Sequence, residues 1–543
     1  MYNKWWHERV FYQIYPRSFN DSNGDGIGDI QGIIEKLPYL KKLGIGAIWL
    51  SPLYASPNYD NGYDISDYKA INPEYGTMAD MKELLKVADE LDIKIVMDLV
   101  INHTSFKHQW FIESKDPKSP YHNYYFWRKG KTTKRGKRLP PNNWQSMFTG
   151  SAWTYEQSND MFYLHLFTKE QPDLNFDHPK VIEEVKSILR FWLELGVAGF
   201  RCDVINCISK SSLKDGRPKV YKTGQEHYLN TPGCHLILKD LHNDVYAHYD
   251  AYTVGETMDI TIHDAKAFLD KELTQVFAFD QVAVDHRSLP LFKKKYHPKN
   301  MIKALRKWQD TIDWNTLFYE NHDVPRSISR FGNTKHRFES ATALAASILF
   351  LKGTPYIYQG QEIGMTNVHF KSVDDLNDVS SKNVYKLLRK LLFPKKLAWR
   401  LVNNFTRDHA RTPMQWDDSN NAGFTSGTPW LMVNPNYKAI NVEAQLNDNN
   451  SILKHYEKMI ALRQSSMALT KGSLTFLKSH KDILAFTRKL GQSTYLVVIN
   501  LGAKKRKHHL NIDGELRYGN YAEYFDDQKV LRPFEVQVLK QGK

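Results

Sequence analysis

Cysteine is scarce in this sequence, which contains only Cys202, Cys207 and Cys234. An odd number of cysteines without a regular spacing excludes a disulfide scaffold and a zinc site built from cysteines. Such sparse cysteine usage fits a reducing compartment. We therefore expect a cytoplasmic protein.

Long hydrophobic runs are also missing. No stretch reaches the roughly 20 apolar residues that a membrane-spanning helix needs. Residues 1–9 are aromatic and charged, with no apolar run behind them of the kind that a secretory leader contains. We expect a soluble protein with no membrane partner.

Acidic residues are fewer than basic ones. The sequence has 60 aspartate and glutamate residues and 74 lysine and arginine residues, which gives a formal net charge of +14. A basic protein can bind nucleic acid or anionic surfaces. The positive charges are dispersed, however, and the densest runs, 129–138 and 504–507, lie in loop-like or hairpin-like sequence. We interpret most of them as solvated surface. We expect no nucleic-acid partner, and a monomer rather than an oligomer.

Apolar and aromatic residues are abundant, at 41% and 13% of the 543 residues. Patterns typical of strands alternate with patterns typical of helices, as they do in βα units. The predicted strands are Val10–Tyr15, Ala47–Leu50, Ile93–Val100, Val197–Cys202, Tyr252–Val254, Gln275–Phe279, Thr316–Phe318 and Pro355–Tyr358. The predicted helices include Ile30–Leu43, Met78–Leu91, Val181–Leu195 and Ser451–Gln464. Eight such strands predict an α/β fold of the (β/α)8 TIM-barrel type.

The alternation is interrupted once and ends before the C-terminus. Residues 104–175 are aromatic, polar and irregular, and this length predicts a small inserted domain over the barrel mouth rather than an ordinary loop. The barrel then occupies residues 1–103 and 176–466, with a charged, helix-rich excursion at 366–401. Residues 467–543 contain short β segments and predict a C-terminal antiparallel β-sandwich.

Three carboxylates follow the fourth, fifth and seventh predicted strands, namely Asp203, Glu256 and Asp323. The C-terminal ends of barrel strands converge, and cleavage of a glycosidic bond needs one carboxylate at the anomeric carbon and another that protonates the leaving oxygen. Arg201 would hold Asp203 ionised as a nucleophile. Glu256, at the tip of an apolar strand, is the candidate for a raised pKa and general acid/base catalysis. Asp323 would brace an oxocarbenium-like transition state.

The motifs around these residues are specific. They are Asp98-Leu99-Val100-Ile101-Asn102-His103, Gly199-Phe200-Arg201-Cys202-Asp203-Val204, Val254-Gly255-Glu256 and Glu320-Asn321-His322-Asp323. Over essentially its whole length, the chain resembles the α-amylase superfamily of retaining α-glycosidases and, within it, the oligo-1,6-glucosidase and dextran glucosidase group. The resemblance implies a covalent glycosyl intermediate on Asp203, acid/base catalysis by Glu256 and retention of the α anomer. Retention would require the two carboxyl groups to lie about 5–5.5 Å apart.

The resemblance also implies a sugar pocket. Asp60 and Tyr63 correspond to residues that hold and stack the terminal glucose. His103 and His322 correspond to hydrogen-bond donors to its hydroxyls. Arg407 corresponds to the partner of Asp60 that closes the pocket. A closed pocket implies attack on the non-reducing end of an oligosaccharide.

Val204 bears on the bond that is cleaved. In the group that the chain resembles, a valine directly after the nucleophile accompanies α-1,6 bonds, whereas smaller or polar residues accompany α-1,4 substrates or sucrose. Gln171–Asn175 matches the oligo-1,6-glucosidase form of another motif. The implied substrates are isomaltose, isomalto-oligosaccharides and dextran fragments.

Other activities on the same fold stay open, namely trehalose-6-phosphate hydrolase, α-1,4-glucosidase and sucrose isomerase. A catalytically inactive relative, like the heavy chains of amino-acid transporters, is an alternative outside enzymology. The complete carboxylate set opposes that alternative.

A further motif, Asp21-Ser22-Asn23-Gly24-Asp25-Gly26-Ile27-Gly28-Asp29, predicts a bound cation. Oxygen ligands at loop positions 1, 3, 5 and 9, a carbonyl at 7 and glycine at 6 match an EF-hand-like calcium loop, but position 12 is Gly32 rather than glutamate. We predict a structural Ca²⁺ away from the chemistry; Mg²⁺ or an Asx-rich turn without metal are the alternatives. The predicted ligands are Asp21, Asn23, Asp25, the Ile27 carbonyl and Asp29. No organic cofactor is expected.

Overall fold

A parallel barrel forms the body of the computed structural model, which describes residues 3–287, 291–522 and 529–542. Its strands are β1 (Phe11–Ile14), β2 (Ala47–Leu50), β3 (Lys94–Leu99), β4 (Gly199–Cys202), β5 (Tyr252–Glu256), β6 (Gln275–Phe277), β7 (Asn315–Leu317) and β8 (Gly353–Tyr358). They pair in the order β6-β5-β4-β3-β2-β1-β8-β7. The predicted TIM barrel is confirmed, and each strand begins and ends within two residues of its predicted bounds.

The gap between β6 and β7 is bridged by side chains, because within the described ranges these two strands share no backbone ladder. Thr316 Oγ1 donates to the carbonyl of Val276 at 3.0 Å. Gln275 Nε2 donates to the carbonyl of Asn315 at 3.2 Å. These polar side chains replace the missing ladder and close the barrel.

Aromatic side chains fill the barrel interior. Phe11 and Tyr252 have ring centroids 5.0 Å apart, and Phe277 and Tyr356 are separated by the same distance. The interior is thus a packed core rather than a channel. Because successive residues of a strand face opposite sides, Glu256 continues the inward-facing row that begins at Tyr252.

Helices cover the outside of the barrel. The longer ones are Ile30–Leu43, Met78–Glu90, Pro179–Leu195, Pro232–Leu241, Ile262–Phe268, Pro298–Gln309, Arg337–Leu349 and Ile452–Gln464. Shorter helices are Gln109–Ser114, Ala247–Tyr249, Ser327–Arg330, Asp408–Arg411, Val442–Leu446 and Met467–Lys471. Among the helices in these ranges, none combines the length and apolarity that crossing a bilayer requires.

Two antiparallel units flank the barrel. Between β3 and β4, a three-stranded sheet has the order Trp127–Arg128, Met161–Leu164 and Trp153–Glu156, beside a hairpin of Lys131–Thr132 and Arg138–Leu139. At the C-terminal end, a five-stranded sheet has the order Ser473–Phe476, Ile483–Leu490, Ser493–Asn500, Val536–Gln541 and Glu515–Gly519. A two-stranded sheet of Arg506–Lys507 and Val530–Leu531 accompanies it, as the predicted sandwich requires.

The predicted excursion after β8 contains a helical hairpin. Its two helices are Val379–Lys390 and Lys395–Asn403. Asp378 caps the first helix by accepting a hydrogen bond from Ser380 N at 3.1 Å. The second helix leads directly into the segment that contains Arg407, so both ends of the hairpin reach the mouth of the barrel.

Candidate active site

Arg201 is the centre of the polar cluster at the C-terminal end of the barrel. Its Nη1 lies 2.7 Å from Asp98 Oδ1 and 2.6 Å from Asp203 Oδ1. Its Nη2 lies 2.7 Å from Glu256 Oε2. The arginine is 1% exposed, and its guanidinium lies over the Trp49 ring at 5.0 Å. One cation therefore holds three carboxylates that come from three neighbouring strands.

The register of the strands explains this convergence. Arg201 on β4 is the Cα partner of Asp98 on β3 and of Val254 on β5. Asp203 lies two residues beyond Arg201, and Glu256 lies two residues beyond Val254. Since alternate residues share a face, the arginine and all three carboxylates point to the inside of the barrel mouth.

Burial raises the pKa of the Asp203 carboxyl well above its usual range; Arg201 opposes this increase and the neighbouring Glu256 carboxylate adds to it. Burial also raises the pKa of Asp98 to about 6, again opposed by Arg201. Burial and Arg201 thus act in opposite directions on the pKa of Asp203. The prediction that Asp203 is an ionised nucleophile stays a prediction.

Asp323 belongs to a second charge cluster. Its Oδ1 lies 2.9 Å from Arg411 Nη2 and 3.3 Å from Arg407 Nη1, and its Oδ2 lies 3.1 Å from His322 Nε2. Burial alone would raise the pKa of Asp323, but His322, Arg407 and Arg411 outweigh burial and hold this pKa well below its usual range. Asp323 therefore stays ionised in this pocket.

Arg407 joins the rim of the pocket to its wall. Its Nη2 lies 3.2 Å from Asp60 Oδ1 and 2.7 Å from Asp378 Oδ1. Its guanidinium lies 5.3 Å from the ring centre of Phe148, a residue of the inserted segment. The predicted contact between Asp60 and Arg407 is thus present, and the inserted segment covers it.

Tyr63 and His322 form a flat wall beside Asp98. Their rings are stacked with centroids 5.3 Å apart and planes 5° apart. Tyr63 OH donates to Asp98 Oδ2 at 3.0 Å and lies 2.7 Å from His322 Nε2. Burial lowers the pKa of His322 to about 3, so the ring is neutral. With Gln13 Nε2 donating to Nδ1 at 2.7 Å, the proton of this neutral ring is on Nε2.

His103 lies in the same wall but is engaged by the protein. Its Nε2 lies 3.0 Å from the Tyr63 carbonyl and 3.1 Å from Gln171 Nε2. Burial lowers the pKa of His103 to about 4. Gln171 in turn donates to Asp60 Oδ2 at 3.3 Å. A direct role of His103 as a donor to a sugar hydroxyl stays a prediction.

Val204, the residue after Asp203, has an unusual backbone. Its φ of 36° and ψ of 38° lie in the left-handed region, which is an outlier for a β-branched residue. Its N–H donates to Glu256 Oε2 at 3.2 Å. Its side chain is buried in an apolar cluster that includes Trp153 of the inserted segment. Backbone strain here accompanies a contact to the carboxylate pair.

The predicted cation loop lies apart from this site. Asp21, Asn23 and Asp25 each accept backbone N–H groups from two to five residues further along the loop, at 2.8–3.0 Å. Asp29 Oδ1 accepts from Gly32 N at 2.6 Å and caps the helix Ile30–Leu43. In the described ranges, no three His, Cys, Asp or Glu side chains form a metal site by themselves. A cation would need the Asn23 amide and backbone oxygen as well.

Four residues of the site had no assigned role in the sequence: Asp98, Gln171, Asp378 and Arg411. Asp98 lies near the end of β3 and could have been found by the strand-end argument that found Asp203. Arg411 follows Arg407 by one helical turn, which is a weaker signal. Asp378 lies in the helix-rich excursion, and nothing in its local sequence points to Arg407.

A family model described as the alpha-amylase catalytic domain matches residues 13–472 of this chain. The chain belongs to the alpha-amylase family.

Relatives of the family cover this chain from end to end. An oligo-1,6-glucosidase of Parageobacillus thermoglucosidasius is 48% identical over 99% of each chain. Among solved structures, an isomaltulose synthase of Klebsiella sp. LX3 superimposes with a TM-score of 0.95 at 40% identity, over 99% of this chain and 100% of that one. A trehalose-6-phosphate hydrolase of Bacillus licheniformis superimposes with a TM-score of 0.92 at 39% identity, over all of both chains.

Asp378→Asn tests whether Asp378 positions Arg407 in this alpha-amylase family site. Asparagine keeps a helix-capping oxygen but removes the charge beside Arg407. We expect kcat/KM on p-nitrophenyl α-glucoside to fall about tenfold or more and the thermal midpoint to fall as well, since a buried charge pair is broken. Asp374→Asn, at an exposed position nearby, is the control. Wild-type kcat/KM in Asp378→Asn would remove this residue from the site.

Proposed function

We propose that the protein is a retaining exo-α-glucosidase that hydrolyses α-1,6-glucosidic bonds of isomaltose, isomalto-oligosaccharides or dextran fragments from the non-reducing end. The observation that carries this proposal is the position of Asp203 and Glu256 on one buried guanidinium, that of Arg201. The pocket above them is closed by Asp60 and Arg407.

The reaction proceeds in two displacements. Asp203 attacks the anomeric carbon while Glu256 gives its proton to the glycosidic oxygen, and the bond from carbon to oxygen breaks. Glu256 then takes a proton from water, which attacks the same carbon and releases Asp203. Contact with a single guanidinium supports the separation of about 5–5.5 Å typical of retaining enzymes rather than the roughly 6.5–9.5 Å of inverting ones. Water is the only co-reactant, so this chemistry uses no organic cofactor.

Asp323 has a different role because its carboxylate stays negatively charged. His322, Arg407 and Arg411 lower its pKa and keep it ionised while the sugar carries positive charge at the anomeric centre. An ionised group at that position stabilises an oxocarbenium-like transition state and accepts hydrogen bonds from sugar hydroxyls. Tyr63 and His322 supply the flat surface on which a glucose ring stacks.

Exo-action follows from the rim of the pocket. Arg407 pairs with Asp60 at this rim, and Gln171 of the inserted segment donates a hydrogen bond to Asp60. A chain that continued beyond the terminal glucose would have to displace this ion pair. The proposal therefore limits cleavage to one glucose at a time.

The α-1,6 assignment depends on fewer observations. Val204 is buried beside Asp203 and touches Glu256 through its backbone, so its side chain borders the space next to the cleaved bond. The oligo-1,6-glucosidase relative is 48% identical, compared with 39% and 40% for the trehalose-6-phosphate hydrolase and the isomaltulose synthase. The position of Val204 and the higher identity to the oligo-1,6-glucosidase both favour α-1,6 hydrolysis over cleavage of phosphate-bearing substrates or sucrose.

We further propose that the enzyme works in the cytoplasm as a monomer, without nucleic acid. Cys202, Cys207 and Cys234 are free and buried, which fits a reducing compartment.

A substrate panel tests the bond specificity. Initial rates would be measured on isomaltose, panose, dextran, maltose, sucrose and trehalose 6-phosphate. We expect isomaltose and panose to be cleaved with the highest kcat/KM, because Val204 borders the cleaved bond. Asp203→Asn is the control, which should remain folded and lose turnover on every substrate. Preferential cleavage of trehalose 6-phosphate or maltose would contradict the α-1,6 assignment.

We also propose that the loop 21–29 binds one structural Ca²⁺. Oxygen donors alternate along it, from the side chains of Asp21, Asn23 and Asp25 to the carbonyl of Ile27, and such hard donors suit Ca²⁺ or Mg²⁺. Asp29 would contribute to the site from its position at the helix cap. The cation would tie the β1 end of the barrel to the helix Ile30–Leu43, and no catalytic step involves it.

Chelation tests this cation. Dialysis against EDTA should lower the thermal midpoint and Ca²⁺ should restore it, since a ligand at 100 times its Kd stabilises the native state by about 2.7 kcal/mol. Asp25→Asn keeps the side-chain oxygen that accepts the Ile27 N–H but removes a charged ligand, so the variant should bind Ca²⁺ less tightly. An unchanged midpoint after EDTA treatment, with no Ca²⁺ detected by elemental analysis, would contradict the assignment.

A further inference from the structure

The helical hairpin of residues 379–403 concentrates the positive charge of the protein. This segment, the basic hairpin, contains seven lysine and arginine residues and no aspartate or glutamate, which is +7 of the net charge of +14. Its cations are Lys382, Lys386, Arg389, Lys390, Lys395, Lys396 and Arg400. Within the described ranges, none of these seven side chains forms an ion pair with a carboxylate, whereas lysines and arginines elsewhere form many. The basic hairpin therefore presents unneutralised charge.

The same hairpin exposes leucine side chains. Leu391 and Leu392, at its tip, are 60% and 88% exposed, and Leu387 and Leu397 on the flanking helices are 41% and 42% exposed. The inner face of the hairpin is buried normally, through residues such as Leu388. The exposed leucines are thus additional to those that fold the segment.

The backbone conformation of Leu392 is unfavourable for a leucine. Phe393 N donates to Leu388 O at 3.0 Å and Leu392 N donates to Arg389 O at 3.1 Å, which is the Schellman pattern at the end of a helix. Leu392 occupies the left-handed position of this motif with φ of 64°, where glycine or asparagine is the usual residue. A strained and exposed leucine contributes little to the fold, which points to a role outside it.

We propose that the basic hairpin docks this protein on anionic lipid surfaces, with the leucines of its tip inserted among the acyl chains and the flanking cations at the headgroups. A basic amphipathic helix with apolar residues on one side has the composition of segments that lie at membrane interfaces. Lysines and arginines near an anionic leaflet add binding free energy individually. Nucleic acid would bind the same cations but would leave the leucines exposed to water. An anionic lipid surface would contact both the cations and the leucines, so we favour lipid.

Docking would orient the catalytic pocket. The first helix of the hairpin starts beside Asp378, which contacts Arg407 at the pocket rim, and its 12 residues span about 18 Å. A tip inserted in a bilayer would therefore hold the pocket rim near the lipid surface. Docking of this kind is peripheral and needs no membrane-spanning helix. The proposal differs from the expectation, made from the sequence, that the protein has no membrane partner. The proposal does not depend on which glucosidic bond the enzyme cleaves.

Vesicle co-sedimentation tests the proposal with the full-length protein. Vesicles of equal parts phosphatidylglycerol and phosphatidylcholine should bind the protein, and vesicles of phosphatidylcholine alone should not. Binding should weaken as salt is added, because screening reduces the attraction between charges. Turnover of p-nitrophenyl α-glucoside by each protein before it is mixed with vesicles monitors its folding.

Two sets of variants separate the apolar and charged parts. Leu392→Asn should weaken vesicle binding about tenfold or more, since one inserted leucine is lost, and should keep or raise the thermal midpoint because asparagine suits the left-handed backbone.

Lys395→Gln with Lys396→Gln should weaken binding about 30-fold. The matched control is Lys299→Gln with Lys303→Gln, which removes the same charge from the exposed face of the helix Pro298–Gln309 and should leave binding unchanged.

Three results would overturn the proposal. The first is absence of binding to the anionic vesicles at low salt. The second is equal loss of binding in the hairpin and control variants, which would indicate attraction by net charge alone. The third is that Leu392→Asn leaves vesicle binding intact but abolishes binding to single-stranded RNA or self-association in light scattering, which would assign the hairpin to one of those partners.

Discussion

One buried arginine determines the geometry of this active site. Arg201 is almost completely shielded from water and is in contact with Asp98, Asp203 and Glu256 at once. A buried charge is costly unless it is paired, and removing one partner of a buried pair leaves the other uncompensated. The positions of the three carboxylates are therefore fixed together by a single cation. Strands β3, β4 and β5 can satisfy it because they are neighbours in register.

The pocket contains a second cluster of charges, in which the pKa of the carboxyl is lowered rather than raised. Around Arg201, three carboxylates share one guanidinium, and burial raises the pKa of Asp203. Around Asp323, His322 and two guanidinium groups surround one carboxylate and lower its pKa. Two carboxylates on one buried cation suit the proposed nucleophile and acid/base chemistry, whereas a carboxylate that is held ionised suits stabilisation of a cationic sugar. The two environments support the division of roles proposed for Asp203, Glu256 and Asp323.

Much of this arrangement could be predicted from the sequence. Alternating strand and helix patterns indicated all eight barrel strands, and position after a strand indicated Asp203, Glu256 and Asp323. Contacts between remote segments could not be predicted: Asp378 meets Arg407 only because the excursion after β8 folds back to the rim. The effect of burial on Asp203 was also missed, because a nearby arginine is visible in a sequence whereas desolvation depends on packing.

If Arg201 holds Asp203 and Glu256 at the short separation of a retaining glycosidase, the first glucose released is the α anomer. Proton NMR of the anomeric region, recorded in the first minutes of p-nitrophenyl α-glucoside hydrolysis at high enzyme concentration, tests this directly, because each turnover releases a single glucose. Glucose should appear first as the α anomer and equilibrate only later. Initial release of β-glucose would show single displacement by water and would contradict retention.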